Sequence, residues 1–163
     1  MPATVQIHEM VSAGVGVDKT DGTTRFKAAV STTVDTSNPI QIPTAGTTYS
    51  YTKELQVYIA NTAYTQVSDL AAYTDGANTF GTAIMVYYDV QGSFVAHTNA
   101  NIAGTDIFTK NSGSTIDMDA INTGPFTSTG YKGDILRMQM AVGSTATSGA
   151  LTAETLTISY QEI

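Results

Sequence analysis

The sequence predicts an all-β protein, because two stretches near its C-terminal end alternate between apolar and polar residues. Their apolar positions are Leu136, Met138, Met140, Val142, Leu156, Ile158 and Tyr160. A period of two is typical of a strand with one buried and one solvated face. The segment between the two stretches is small and polar and contains glycine, as in a turn. We therefore predict a β-hairpin over residues 132–163, whose apolar side chains form the domain core and whose polar face packs within an assembly.

Composition supports the same fold class. Charged residues make up 13% of the chain, against roughly 25% in an average soluble protein. Threonine is abundant, and this β-branched residue suits solvent-facing strand positions. The 163 residues are enough for one domain, residues 1–163, that buries a core without a metal or a disulfide.

In the N-terminal part, residues 4–9 alternate and predict a first strand. Residues 11–21 are Gly-rich and aperiodic, so we expect a flexible loop or arm there. A second strand is predicted over residues 25–30, with Phe26 and Ala28 facing inward.

The middle of the chain contains the longest periodic runs. Residues 49–59 alternate throughout, and they place Lys53 on the same face as Leu55 and Val57. Residues 66–74 fit either a helical turn or a strand, and we interpret them as a strand. Residues 82–90 are nearly apolar on both faces, which indicates a central strand or a subunit interface.

Shorter runs follow at residues 94–97, 105–109 and 116–120. Together with the longer runs they give about eight to ten short antiparallel strands separated by turn signals. The predicted fold is therefore a β-sandwich, jelly-roll-like or otherwise, or a barrel.

The charge of the chain bears on its partners. Its formal net charge is −7 and its pI is about 4.4, so the chain repels phosphate backbones and anionic membrane surfaces. We expect neither nucleic acid nor a membrane as a partner. The first ten residues lack the basic and apolar regions of a secretion signal. There is no cysteine, which excludes disulfides and thiolate metal sites.

Residues that could carry chemistry are few and scattered. His8 and His97 lie on predicted strands without the spacing of a metal site. Asp117 and Asp119 would share a strand face within reach of one Ca²⁺, but the rest of an EF-hand loop is missing. No nucleophile elbow is present. We therefore expect no enzyme activity, no metal and no cofactor, while the nine tyrosines leave a sugar-binding groove open as an alternative.

Several phrases of the sequence nevertheless resemble a known family. They are TVQIHEM, TRFKAA, TVDTSNPIQIPTAGTTYSYTKELQVY, YTDGANTFGT and GDILRMQMAVGSTATSGALTAETLTISYQEI. These phrases cover nearly the whole chain and resemble small structural virion proteins of tailed bacteriophages. Within that family, the size and the β-rich pattern resemble capsid decoration, or cement, proteins.

The resemblance implies a role on the exterior of the virion capsid, after synthesis in the bacterial host cytoplasm. A decoration protein binds the outside of the phage head and stabilises it by bridging capsomers, so its partner would be the major capsid protein. The alternatives are a neck, tail or fibre-associated β-domain, or a carbohydrate-binding domain for host attachment.

The apolar excess of residues 82–90 predicts self-association as a homotrimer. The residues expected at assembly interfaces are Val15, Val17, Met85 and Tyr87.

Overall fold

The computed structural model describes residues 2–61 and 66–163 and confirms the all-β fold class. Strands make up 41% of the chain and helix 2%, and the strands form two antiparallel sheets. The strands are β1 (Val5–Ser12), β2 (Val15–Asp18), β3 (Thr47–Tyr49), β4 (Lys53–Ile59), β5 (Val67–Tyr73), β6 (Ile84–Gln91), β7 (Thr105–Asp106), β8 (Ile116–Asp117), β9 (Gly130–Gly143) and β10 (Thr157–Glu162). The sandwich-like arrangement agrees with the prediction from alternation.

The larger sheet has seven strands in the order β2-β1-β4-β9-β6-β7, and β3 also pairs with β9. β9 is its longest strand, with 14 residues, and it lies between β4 and β6. Its side chains are buried on both faces, as expected for a central strand. β6 has the two-residue β7 as its other neighbour, so the twice-apolar run at residues 82–90 lies next to the edge of the sheet.

The smaller sheet has the order β10-β5-β8 and packs against one face of the larger sheet, which we call the inner face. Leu136, Met138, Met140 and Val142 of β9 are all buried there, which confirms their prediction as core residues. The core is completed by alternate residues of β4 and β6 and by apolar residues of β5 and β8.

The predicted hairpin over residues 132–163 is wrong. β10 pairs with β5 in the smaller sheet, because both sides of β9 are occupied by other strands of the larger sheet. Leu156 and Ile158 are only partly buried against the core, and Tyr160 is 41% exposed, so its prediction as a core residue is wrong. Alternation identified β10 as a strand, but it does not indicate with which strand β10 pairs.

Residues 11–21 are also different from their prediction. β1 runs to Ser12 and β2 returns beside it in antiparallel register, so most of this segment is an ordered hairpin. The turn places Gly14 at a φ of +70°, which glycine adopts without strain. Alternation missed β2 because the strand has four residues at a sheet edge, with no core to impose a pattern.

Of the shorter strands predicted within the described residues, two are absent from the structure and a third is only partly a strand. Residues 25–30 form no strand; Phe26 is partly buried, but Ala28 is exposed and the side chain between them, Lys27, is buried. Residues 94–97 are also irregular. Residues 105–109 divide into β7 and a 3₁₀ helix, Ile107–Thr109, which Asp106 caps by accepting a hydrogen bond from the Phe108 backbone N–H. The interpretation of residues 66–74 as a strand is confirmed by β5.

Candidate functional site: an exposed edge hairpin and the cavity beside it

The hairpin of β1 and β2 exposes three valines at the edge of the larger sheet. Val11 is 39% exposed, Val15 53% and Val17 42%. β2 pairs with β1 on one side, and within the described residues it has no strand on the other side. Its outer backbone N–H and C=O groups therefore form a free edge. We call this free edge, together with the three valines, the edge surface.

The residues predicted at assembly interfaces lie in two separate places. Val15 and Val17 belong to the edge surface, while Met85 and Tyr87 lie on β6 and are half-buried. Three strands separate β2 from β6, which at the usual strand spacing corresponds to about 19 Å. By alternation, Met85 and Tyr87 also project from the outer face, the one opposite the core. The structure thus brings the four residues together in pairs, at opposite sides of one sheet.

A cavity of about 280 Å³ opens beside the edge surface. Its lining comes from the end of β1, from residues 30–33, from the start of β4 and from His97. Val11 belongs both to the edge surface and to this lining, so the two features are continuous.

A buried ion pair contributes to the cavity wall. The Lys53 Nζ lies 2.6 Å from Glu9 Oε1, and the two side chains are 3% and 2% exposed. Lys53 also donates to the backbone carbonyl of Ser31, and the Thr24 hydroxyl lies 3.4 Å from Glu9 Oε2. Lys53 follows the alternation that places it on the inner face, but its partner is 44 residues away in sequence and no local pattern indicates it.

The outer face of the larger sheet carries a second buried carboxylate, Glu54. It lies opposite Arg137 in the register of β4 and β9, it is 0% exposed, and neither carboxylate oxygen has a hydrogen-bond partner among the described residues. Burial raises the pKa of Glu54 to about 7. The Val95 backbone N–H and the Arg137 guanidinium act in the opposite direction, while the nearby Asp89 adds to the rise in pKa.

Arg137 does not neutralise Glu54 by a direct contact because it is already engaged by Asp89. Its Nε donates to Asp89 Oδ1 at 2.8 Å, and its second guanidinium nitrogen donates to Oδ2. This bidentate pair raises the pKa of Arg137 further. Glu54 is therefore a carboxyl group whose charged form is poorly compensated.

Residues 92–104 cover this outer face. The Ile102 backbone N–H donates to Gln139 Oε1 at 3.1 Å, and Gln139 Nε2 donates to the carbonyl of Ala100 at 2.9 Å. The Thr52 backbone N–H donates to the carbonyl of Thr98 at 2.9 Å. Gln139 is 0% exposed as a result. The prediction that the polar face of β9 packs within an assembly is therefore wrong at this position, since the chain's own loop occupies it.

The two histidines have separate structural partners. His8 stacks on Tyr58 with ring centroids 4.7 Å apart, and its Nδ1 lies 3.0 Å from the Tyr131 hydroxyl. His97 Nδ1 donates to the carbonyl of Thr52 at 3.1 Å. In the part of the chain that the structure describes, no group of three or more His, Asp or Glu side chains could hold a metal.

Asp117 and Asp119 lie beside a shallow pocket of about 220 Å³ that Asp69 also lines. Burial raises the pKa of Asp119, and a hydrogen bond and charge repulsion from Asp117 raise it further. The two carboxyl groups are close, but they do not share a strand face as predicted. β8 ends at Asp117, residues 118–120 form a bend, and the Asp119 backbone N–H donates to Asp117 Oδ1 at 3.0 Å.

Comparison with known proteins adds no relative: the chain matches no protein-family model, no curated protein and no solved structure. Across residues 2–61 and 66–163, no helix is long and apolar enough to cross a membrane.

Proposed function

We propose that the chain is a structural protein of a tailed-bacteriophage virion, and that it decorates the outside of the capsid by bridging units of the major capsid protein. The resemblance of its sequence to such proteins motivates the proposal. The single structural observation that supports it best is the edge surface. Natural proteins usually cover or block a free strand edge, because an uncovered edge pairs with other chains.

An extended segment of a capsid subunit could add to the sheet beside β2. Main-chain hydrogen bonds would supply affinity in this mode, and Val15 and Val17 would supply apolar contact. Binding to the assembled shell alone would stabilise that shell by mass action. Repetition over many sites would add avidity even where a single contact is weak.

The homotrimer remains part of this proposal. Val15 and Val17 at one side of the sheet, and Met85 and Tyr87 near the other, offer two different surfaces on each protomer. A contact between different surfaces is heterologous, and it forms a closed ring when the rotation between protomers allows it. A three-membered ring would leave the same face of each protomer directed at the shell.

The test uses phage heads purified without this protein, to which the recombinant chain is added back. Wild type should bind in copies that match the capsid lattice, and V15K/V17K should lose binding at least about tenfold, because the charged side chains oppose apolar contact. The matched control is Leu151→Lys. Leu151 is 39% exposed, as Val11 is, but it lies outside the edge surface, so this variant should bind heads as wild type does.

Three results would count against the proposal. If V15K/V17K binds heads normally, the edge surface is not the contact. If wild type binds no heads, or is found in a dozen copies or fewer per particle, a neck or tail role replaces decoration. Light scattering that finds a monomer at virion-assembly concentrations would exclude the trimer.

A further inference from the structure

The wall of the cavity beside the edge surface offers a hydrogen-bond donor and an acceptor next to each other. An ammonium group has three N–H donors. Lys53 uses one on Glu9 and one on the carbonyl of Ser31, and within residues 2–61 and 66–163 the third has no partner. Glu9 Oε2 has only the long contact with Thr24, so it retains capacity to accept.

Further polar groups line the same cavity. His97 donates from Nδ1 to the carbonyl of Thr52, which leaves Nε2 as an acceptor in the neutral ring. Thr33 contributes a hydroxyl-bearing side chain at the exposed rim. Val11 and Val30 are apolar members of the lining, and both are partly exposed.

The charges of the wall restrict the ligand. Lys53 and Glu9 neutralise each other, so the wall has no net charge that would attract a carboxylate or a cation and offset the cost of removing it from water. An uncharged ligand with adjacent hydroxyl groups has a lower desolvation cost and fits the pair, since one hydroxyl can donate to Glu9 while its neighbour accepts from Lys53. The valines can contact the C–H groups of the same ligand.

Size restricts the ligand further. About 280 Å³ is close to the lower end of the range for small-molecule pockets, roughly 300–1,000 Å³. We infer that this cavity binds one uncharged, polyhydroxylated ring, namely a single monosaccharide unit such as the end of a glycan chain. The inference does not depend on the decoration role, because its evidence lies in the cavity and its ion pair.

Backbone-amide NMR of the whole chain tests the inference, with glucose, galactose, N-acetylglucosamine and rhamnose as probes and sodium acetate as the charged comparison. At least one sugar should shift the signals of cavity residues in a saturable way with a millimolar Kd, and acetate should not. His97→Phe and Thr33→Val should each weaken binding about two- to tenfold, the effect of one lost hydrogen bond.

The matched control is Thr127→Val, an exposed position outside the cavity lining, and it should leave the Kd unchanged. Both cavity variants keep the buried ion pair, and the dispersion of their spectra reports folding directly. Three results would overturn the inference. They are amide chemical shifts that no sugar brings to saturation up to about 100 mM, an acetate Kd equal to that of the sugars, and wild-type Kd values for sugar in both cavity variants.

Discussion

Replacing Glu54 with glutamine should stabilise the protein at neutral and alkaline pH. The carboxyl group has its pKa raised from 4.5 to about 7 by burial, so the folded state holds a proton that the unfolded state releases. In the window between these two values the unfolded chain binds fewer protons than the folded chain, and stability falls as the pH rises. Below the window both states are protonated, and above it both are ionised, so the loss is then complete.

The loss of stability on ionisation follows from the difference between the pKa of Glu54 in the folded and in the unfolded state. One pKa unit corresponds to about 1.4 kcal/mol, so a rise from 4.5 to about 7 gives about 3 kcal/mol as an upper value. Relaxation of the protein around a buried charge lowers such penalties, so we expect a loss of about 1–3 kcal/mol. Glutamine has nearly the same size and polarity as the protonated carboxyl group, and it cannot ionise. The gain should therefore be absent at pH 4 and complete at pH 8.

Urea unfolding of wild type and E54Q at five pH values from 4 to 8 measures this difference directly. Asp21→Asn is the matched control, because it removes a carboxylate charge at an exposed position and should change stability by less than about 0.5 kcal/mol at every pH. Hydrogen exchange in residues 92–104 should also be faster at pH 8 in wild type than in E54Q. Two stability curves that run parallel across this range, or an E54Q that is less stable than wild type at pH 8, would contradict the raised pKa of Glu54.

Two further substitutions test the packing of the sheets. Gly133→Ala should lower the free energy of unfolding by about 1–3 kcal/mol or more, since its φ is +65° and the new Cβ would lie 2.5 Å from the carbonyl oxygen of Met118. The control is Gly46→Ala, where φ is +73° but the space around the new Cβ is open. Thermal unfolding should show a much smaller loss of stability for this control. Lys53→Met should cost about 3–5 kcal/mol in urea unfolding by leaving Glu9 buried and unpaired. The double variant K53M/E9Q should recover part of that loss, and a loss equal to the sum of the single changes would contradict the pairing.

The long strands could be predicted from sequence, because a strand with one buried face has apolar and polar residues at alternate positions. This holds for β4, and for the run of β9 from Leu136 to Val142. Pairing could not be predicted in the same way, since a strand with one apolar face fits either sheet. β10 illustrates this: its alternation is real, but it pairs with β5 across the sandwich.

The candidate site was harder to predict than the fold, because irregular segments build most of it. Residues 30–33 line the cavity and residues 92–104 cover Glu54, and both segments are irregular in the structure, although parts of them were predicted as strands. The alternation of residues 49–59 puts Glu54 on the face opposite Leu55 and Val57, but it does not show whether that face is covered. Only the path of the covering loop decides that this carboxyl group is buried.

The edge of β2 is the feature on which the proposed function depends most. Natural edge strands are protected by being very short, by charged side chains or proline, or by a bulge. β2 has four residues, Val-Gly-Val-Asp, so its short length and Asp18 supply part of this protection. The pairing of β1 with β2 also has an irregularity between Met10 and Ser12, and such bulges increase the local twist of a strand pair. Val15 and Val17 nevertheless stay 53% and 42% exposed on this edge, and under the proposed function a segment of a capsid subunit would cover them.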